Sequence, residues 1–288
     1  MPPRLRALVA TRLPTDAFLV AGGVLVAFRL LAIAPWDYPT LDLHAYWATR
    51  DGLDYASASP FVIGAYLYAP VFAQAIAPLT LLPWPVFAAA WTALMVGAYA
   101  WIAGRWSLPL LLTVAVALDL FLGQIDLFIA AAIVAGFRWP AVWAFPLLTK
   151  VAPGVGLVWF AVRQEWRNLA IAIGATAALI AVSGAVRPDL WGDWFDLLRR
   201  SALETQGAEG TFLPIPLLWR LPFAIGIIAW GARADRRWTV PVGVLLAMPV
   251  LWVNVFTLLI AVIPLRAGAT TPAAAWLRGA DQPSSLRQ

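Results

Sequence analysis

Long apolar runs, separated by short groups of proline, glycine and arginine, make up most of this chain. A helix needs about 20 apolar residues to cross a bilayer. About nine runs qualify, or nearly qualify, as spans or half-spans: 17–34, 69–82, 84–103, 107–122, 125–137, 139–162, 168–186, 213–231 and 239–265. Several runs are shorter than a full span and the last is long, so we expect half-helices among them. The pattern predicts an all-α, polytopic transmembrane helical bundle.

Composition supports a membrane protein and excludes several kinds of site. Of the 288 residues 62% are hydrophobic and 12% charged, whereas soluble domains carry roughly 25% charged residues. The absence of cysteine excludes disulfides and thiolate metal sites, and the single histidine, His44, excludes a multi-histidine zinc site. No nucleotide-binding or metalloprotease motif occurs. We therefore expect neither a metal nor a cofactor, and the arginine-for-lysine bias is typical of a GC-rich, bacterial genome.

Arginines mark one side of the predicted bundle. The distribution of positive charge between the apolar runs places residues 1–16, 163–167 and 233–237 in the cytoplasm. Two longer segments, 35–68 and 187–212, are net acidic and would then be exterior loops. We expect a multi-pass protein of the plasma (inner) membrane with a cytoplasmic amino terminus. The arginines follow membrane orientation, so they do not indicate nucleic-acid binding.

The second exterior loop contains a predicted amphipathic helix. Trp191, Trp194 and Phe195 recur at helical spacing, and charged residues take the opposite face. Such a helix either lies in the membrane interface or packs on its own bundle, and the pattern fits both. After the membrane domain of residues 17–265, residues 266–288 are rich in alanine, proline and serine, which predicts a disordered tail.

The first exterior loop contains a candidate base. Pro39 and Thr40 predict a helix start with Thr40 as the N-cap, which places Asp42 in the first turn near free backbone amides. That position favours the ionised carboxylate, which can accept a proton from a substrate hydroxyl. Simple helix capping is the alternative. His44 is a weaker candidate, because a lone loop histidine is usually only solvated.

Lys150 lies within an apolar run, where an ammonium group costs on the order of 3 kcal/mol unless it snorkels, pairs or faces a polar cavity. A fixed ammonium beside a helix break suits a phosphate group. The alternatives are snorkelling to the interface and pairing with Asp119 or Asp126. These aspartates flank Gly123 and Gln124, and together they form a polar group between two short apolar runs. Either a turn or a substrate cavity would explain this group. The sequence does not determine how deep in the membrane it lies.

Several short motifs follow one another along the chain: Asp42-Leu-His-Ala-Tyr46, Tyr66-Leu-Tyr68-Ala-Pro70, Gly123-Gln124-Ile-Asp126, Lys150-Val-Ala-Pro153, Arg163-Gln-Glu-Trp-Arg167 and Pro249-Val-Leu-Trp252. In this order they resemble glycosyltransferase family 87, the polyprenol-phosphate-mannose-dependent mannosyltransferases of the GT-C superfamily. The resemblance covers roughly residues 17–265. Three features depart from the family pattern: Asn254 stands where a histidine is frequent, Asp126 where asparagine is more usual, and the chain is shorter than typical members.

The resemblance implies a GT-C bundle that transfers a sugar with inversion from a polyprenyl phosphate to a hydroxyl of a glycolipid or glycan on the exterior face. Asp42 matches the family's catalytic aspartate, the general base, and Lys150 would bind the donor phosphate with the help of Arg199 and Arg200. The remaining candidates line the expected substrate pocket: His44, Tyr46, Tyr66, Tyr68, Gln124, Asp126, Trp252 and Asn254.

Two other functions fit the same residues. A lipid or solute transporter, or a flippase, could use an intramembrane lysine, acidic groups and broken helices. The absence of visible inverted repeats counts against it. A noncatalytic subunit that binds a lipid-linked sugar also fits, because the chain is shorter than typical members of the family.

Overall fold

The computed structural model describes residues 16–29, 41–62, 64–204, 215–266 and 268–281, and within these ranges every regular element is helical. The predicted N-cap Thr40 lies outside the described residues, as do most of the amino-terminal segment 1–16 and residues 282–288 of the predicted tail. The fold class predicted from the apolar pattern, all-α, is confirmed for the described part of the chain.

The α-helices of the described residues are, in chain order, α1 (16–29), α2 (Leu41–Ala48), α3 (Pro70–Thr80), α4 (Trp84–Ala103), α5 (Ser107–Leu111), α6 (Val114–Leu122), α7 (Asp126–Gly136), α8 (Ala144–Thr149), α9 (Val158–Val162), α10 (Trp166–Val186), α11 (Pro188–Glu204), α12 (Leu217–Arg233), α13 (Thr239–Ala247), α14 (Val262–Leu265) and α15 (Pro272–Asp281). Short 3-10 segments join or extend them at Thr49–Asp51, Gly104–Trp106, Pro140–Trp143, Ala152–Leu157 and Val253–Ala261. Proline occupies the first or second position of several of these elements, because its missing N–H is not needed in a first turn.

Few of these helices are full-length spans. Among the described residues, Trp84–Leu111 and Trp166–Val186 are long and apolar enough to cross a membrane, and α6 with α7 would make a third if the bent pair counts as one span. The predicted count of about nine spans or half-spans is therefore not confirmed. The run 139–162 is interrupted at Lys150, and the long run 239–265 is divided between α13 and the 3-10 helix that follows it.

Two arginine groups that the sequence assigns to the cytoplasm lie together at one end of the bundle. Arg163, just after α9, donates a hydrogen bond from Nη1 to the carbonyl of Ala232 near the end of α12, at 3.1 Å, and pairs with Asp235 at 3.0 Å. The guanidinium of Arg237 lies 5.5 Å from the ring centroid of Phe137, which follows α7. We call this the arginine end.

The net-acidic loops meet at the opposite end. The backbone N–H of Ala69, just before α3, donates to the carbonyl of Leu148 in the last turn of α8, at 3.3 Å. Trp194 of α11 donates from Nε1 to the carbonyl of Leu67 at 3.1 Å. The two segments that the sequence predicts to be exterior therefore contact each other, and Lys150 lies at the same end.

The amphipathic helix α11 packs its tryptophans on the bundle. Trp191 donates from Nε1 to the hydroxyl of Ser183 in α10 at 3.0 Å, and both Trp191 and Trp194 are buried. Phe195 points outward and is half exposed. Packing on its own bundle, one of the two interpretations that the sequence allowed, accounts for the tryptophans.

The predicted disorder of the tail is wrong for residues 272–281, which form α15. Ala273 and Leu277 on this helix are buried, and Arg138 donates from Nη1 to the carbonyl of Trp276 at 2.9 Å. The same guanidinium lies 4.5 Å from the centroid of the Trp276 indole. The alanine-rich composition of this segment does not reveal the amphipathic helix, because the helix is stable only when its apolar face packs on the bundle.

Candidate functional site

A sharp bend between α6 and α7 brings a polar turn against α2. The two helices meet at 106°, and Gly123 ends α6 in the left-handed conformation with φ 76°. Its carbonyl accepts a hydrogen bond from Nε1 of Trp91 at 3.0 Å. A Cβ at Gly123 would lie 2.7 Å from the Cβ of Leu43 in α2, so only glycine allows this approach. The polar group around Gly123 and Gln124, whose depth the sequence does not determine, therefore lies beside Asp42.

Asp42 lies at the end of a polar chain that leads into an aromatic wall. The side chain of Gln124, in the turn after α6, approaches its partly buried carboxylate. The Tyr68 hydroxyl donates to Oε1 of Gln124 at 3.5 Å, and the hydroxyls of Tyr46 and Tyr68 are 3.2 Å apart. Both tyrosines are buried. The candidate base is therefore fixed by neighbours from two other parts of the chain.

Burial raises the pKa of Asp42 to about 6. The positive charge of Lys150 and the nearby side-chain amide of Gln124 lower it, while the negative charge of Asp126 adds to the rise. The sequence predicted that the helix terminus would favour the ionised form, but desolvation outweighs that effect here. At neutral pH the carboxylate still predominates, and a pKa this close to neutrality suits a general base.

An ion pair lies close enough to Asp42 for both its charges to act on that carboxylate. Lys150 Nζ contacts Asp126 Oδ1 at 2.5 Å, and Asn254 donates from Nδ2 to Asp126 Oδ2 at 3.1 Å. Asp126 is fully buried, and the Lys150 side chain is 22% exposed. Pairing with Asp126 is one of the alternatives that the sequence allowed for Lys150. An ammonium has three N–H groups, so Lys150 keeps donors for a further anion beside its contact with Asp126.

Asp119 adds another buried carboxylate in the last turn of α6. Neither of its oxygens makes a hydrogen bond of ordinary geometry among the described residues, although the backbone amide of Leu127 approaches it. The negative charge of Asp126 and the positive charge of Lys150 both act on Asp119. In the part of the chain that the structure describes, no three acidic or histidine side chains are arranged to hold a metal ion.

The other predicted pocket residues lie around this cluster. The exposed ring of His44 packs against Trp84, with ring centroids 5.3 Å apart. Tyr66 contacts Tyr68 at 5.5 Å between ring centroids, and Trp252 packs edge-on against Phe61 at 6.4 Å. The structure thus brings together the following predicted site residues: Asp42, Tyr46, Tyr68, Gln124, Asp126, Lys150 and Asn254.

Arg199 and Arg200, predicted to bind the donor phosphate, make other contacts. Arg199 pairs with Asp196 at 3.3 Å on an exposed face of α11. Arg200 donates from Nη1 to the carbonyl of Ala56 at 2.7 Å and from Nη2 to that of Tyr55 at 2.6 Å. Both arginines lie at the same end as Lys150, and their part in donor binding stays a prediction.

Two buried arginines near the site were missed. Arg29 donates from Nη2 to the carbonyl of Phe121 near the end of α6, at 2.6 Å. Arg220 donates to the carbonyls of Met248 and Pro249 at 2.8 and 3.0 Å, and so holds the segment that leads to Asn254. Both arginines lie inside predicted apolar runs, where a charge is expensive. That cost was the signal that could have identified them.

A comparison with models of protein families matches residues 66–280 to glycosyltransferase family 87. The chain belongs to this family. The resemblance seen in the sequence is therefore confirmed, and membership indicates a membrane glycosyltransferase. No curated protein and no solved structure matches the chain. The matched region includes Gln124, Asp126, Lys150 and Asn254, whereas Asp42 precedes it.

Proposed function

We propose that this member of glycosyltransferase family 87 transfers a sugar, in the first instance mannose, from a polyprenyl phosphate to an acceptor hydroxyl with inversion. The active site would lie at the end of the bundle opposite the arginine end. Arginine-rich ends are retained in the cytoplasm, so this arrangement supports an active site on the exterior face of a multi-pass plasma-membrane protein.

The observation that carries this proposal is the convergence of a base and a cation in one polar cluster. Asp42 is a carboxylate whose pKa lies near 6, and Lys150 is a partly exposed ammonium that is held by Asp126. A proton acceptor and a phosphate-binding cation are the two groups that transfer from a sugar phosphate requires.

In the proposed reaction, the Asp42 carboxylate takes the proton of the acceptor hydroxyl as the acceptor oxygen attacks the anomeric carbon. The bond between that carbon and the phosphate oxygen breaks, and the electron pair leaves with the polyprenyl phosphate. Lys150 stabilises the negative charge that develops on the leaving phosphate. Protonated Asp42 then returns its proton to water. Attack from the face opposite the phosphate inverts the anomeric configuration.

The pairing of Lys150 with Asp126 fits this role. An ammonium group without a counter-ion would be costly at this depth, and Asp126 offsets that cost before the donor arrives. Asn254 occupies the second oxygen of Asp126, which leaves the first oxygen to hold Lys150 in place. Asn254 stands where the family often has a histidine. Its amide orients Asp126, the counter-ion of Lys150, but cannot act as an acid.

The donor class is tested with purified protein in lipid nanodiscs and a membrane extract as the acceptor source. We expect transfer of labelled mannose from polyprenyl-phosphate-mannose and none from GDP-mannose. Polyprenyl-phosphate-glucose serves as the control for the sugar. Transfer from GDP-mannose in extract that cannot itself make the lipid-linked donor would contradict the proposed donor class, and equal rates with glucose would contradict the assignment of mannose.

A further inference from the structure

A small cavity of about 220 Å³ lies between α2 and the loop that follows it. On the helix side it is lined by Ala45, Ala48 and Thr49, and on the loop side by residues that include Asp54 and Ser57. The cavity is partly open to solvent, and its remaining walls are mostly small side chains. None of the residues proposed above to act on the donor lines it.

The cavity is close to the candidate base on two sides. Ala45 follows Asp42 by one helical turn on the same face of α2, which is about 4.5 Å along the helix axis. On the loop side, Tyr66 lines the cavity and contacts Tyr68, with ring centroids 5.5 Å apart. The hydroxyl of Tyr68 in turn reaches Gln124, whose side chain approaches Asp42.

The polar groups of the cavity suit a neutral ligand with several hydroxyls. Among the described residues, its lining contains one charged side chain, the carboxylate of Asp54, which disfavours an anionic ligand. Arg200, whose charge also acts on Asp54, is bound to the backbone carbonyls of Tyr55 and Ala56. Asp54 accepts hydrogen bonds from Ser57 N at 3.1 Å and Ser57 Oγ at 2.5 Å. Each carboxylate oxygen keeps acceptor capacity for a ligand hydroxyl. The volume is below the roughly 300–1,000 Å³ of sites for drug-sized ligands, so a single sugar ring is the matching size.

The walls of the cavity are tied to the rest of the bundle. The hydroxyl of Tyr55 donates to the carbonyl of Tyr68 at 2.7 Å. Arg200 of α11 donates to the carbonyls of Tyr55 and Ala56. A loop fixed in this way does not have to be ordered when a ligand binds, which lowers the entropic cost of binding.

We propose that this cavity binds the terminal sugar residue of the acceptor and presents one of its hydroxyls to Asp42. The inference rests on the proposed function, because it assigns the acceptor side of the same reaction. The anionic donor approaches Lys150. The neutral acceptor sugar lies against Asp54, on the other side of the turn of α2 that carries Asp42.

The test measures sugar binding directly, without turnover. Wild-type protein in nanodiscs is titrated with a panel of methyl hexopyranosides, and binding is detected by saturation-transfer NMR. We expect a signal for at least one glycoside, reduced fivefold or more by Ala48→Leu, which fills the cavity, and retained by the control Ala48→Ser. Asp54→Asn, at an exposed position that folding tolerates, should also weaken binding, whereas Asp51→Asn should not, because Asp51 does not line the cavity.

Titration with polyprenyl phosphate separates this inference from the proposed function. We expect Ala48→Leu and Asp54→Asn to bind polyprenyl phosphate as the wild type does, which would show that only the acceptor side has changed. Glycoside binding that is equal in wild type, Ala48→Leu and Asp54→Asn would overturn the inference, as would absence of binding to the wild type. If the wild type binds a glycoside but does not bind polyprenyl phosphate, the proposed donor is overturned and the proposed sugar site is retained.

Discussion

The ion pairs Asp126–Lys150 and Asp196–Arg199 have similar chemistry and opposite surroundings. In the first, the side chains are 0% and 22% exposed, and in the second 70% and 82%. Removing two charges from water is costly and is repaid only by close geometry and additional hydrogen bonds, which Asn254 supplies to Asp126. An exposed pair is screened and contributes roughly 0–1 kcal/mol. The buried pair therefore marks a candidate site, whereas the exposed pair does not mark one by itself.

Breaking each pair should give the largest difference between the two regions. Lys150→Met leaves the buried carboxylate of Asp126 without its counter-ion and should lower the free energy of unfolding by about 3–5 kcal/mol. Arg199→Met should lower it by less than about 1 kcal/mol. Denaturant unfolding in matched detergent measures both changes. As a control, Asp126→Asn combined with Lys150→Met removes both charges and should recover part of the loss; equal effects of the two single variants would contradict the comparison.

A second prediction concerns the turn that positions the buried pair. Gly123→Ala introduces a Cβ 2.7 Å from Leu43 at a residue with φ 76°, and should lower the free energy of unfolding by roughly 1–3 kcal/mol. It should also reduce transfer, because α2 and Asp42 must shift. The matched control is Gly97→Ala in the middle of α4, where a Cβ would meet nothing within 4 Å. This substitution should leave the free energy of unfolding unchanged or raise it slightly.

The smallest of these effects is on pH dependence. Because burial raises the pKa of Asp42 to about 6, and a base must be deprotonated, transfer should increase with pH through about 6 and be about tenfold slower at pH 5 than at pH 7. Lys150 lowers the pKa of Asp42, so residual transfer by Lys150→Met should have a higher midpoint. Arg199→Met should leave the midpoint unchanged. A flat profile from pH 5 to 7 in the wild type would exclude Asp42 as the titrating base.

The chemistry of the site was more predictable than its geometry. Gln124, Asp126 and Lys150 stood out because polar groups are expensive among apolar runs, and Asp42 stood out because it lies in the predicted first turn of a loop helix. Pairing of Lys150 with Asp126 was one of the alternatives, but the approach of Asp42 to this pair could not be predicted from the residues, because the segment with the bend at Gly123 looks in sequence like two short spans. The 106° angle depends on a left-handed glycine packed against α2, a tertiary contact that leaves no periodic signal.

The fold shows the same division between local and tertiary signals. The apolar pattern predicted helices throughout and placed the amphipathic helix α11 correctly, because both depend on local periodicity. The count of about nine spans or half-spans is not confirmed, because short helices broken by proline and glycine have the composition of long ones. Arg220 was missed because the carbonyls that satisfy its guanidinium lie about 30 residues away in the chain.

The central claim is that Asp42 is the base of a lipid-linked sugar transfer. The most direct measurement is the release of free polyprenyl phosphate from polyprenyl-phosphate-mannose by the purified protein in lipid, with and without membrane extract as the acceptor source. It compares wild type with Asp42→Asn and with the control Asp51→Asn, an exposed acid on the same loop. We predict acceptor-dependent release by wild type and Asp51→Asn, and none by Asp42→Asn despite unchanged donor binding. Release by Asp42→Asn at the wild-type rate would contradict the account.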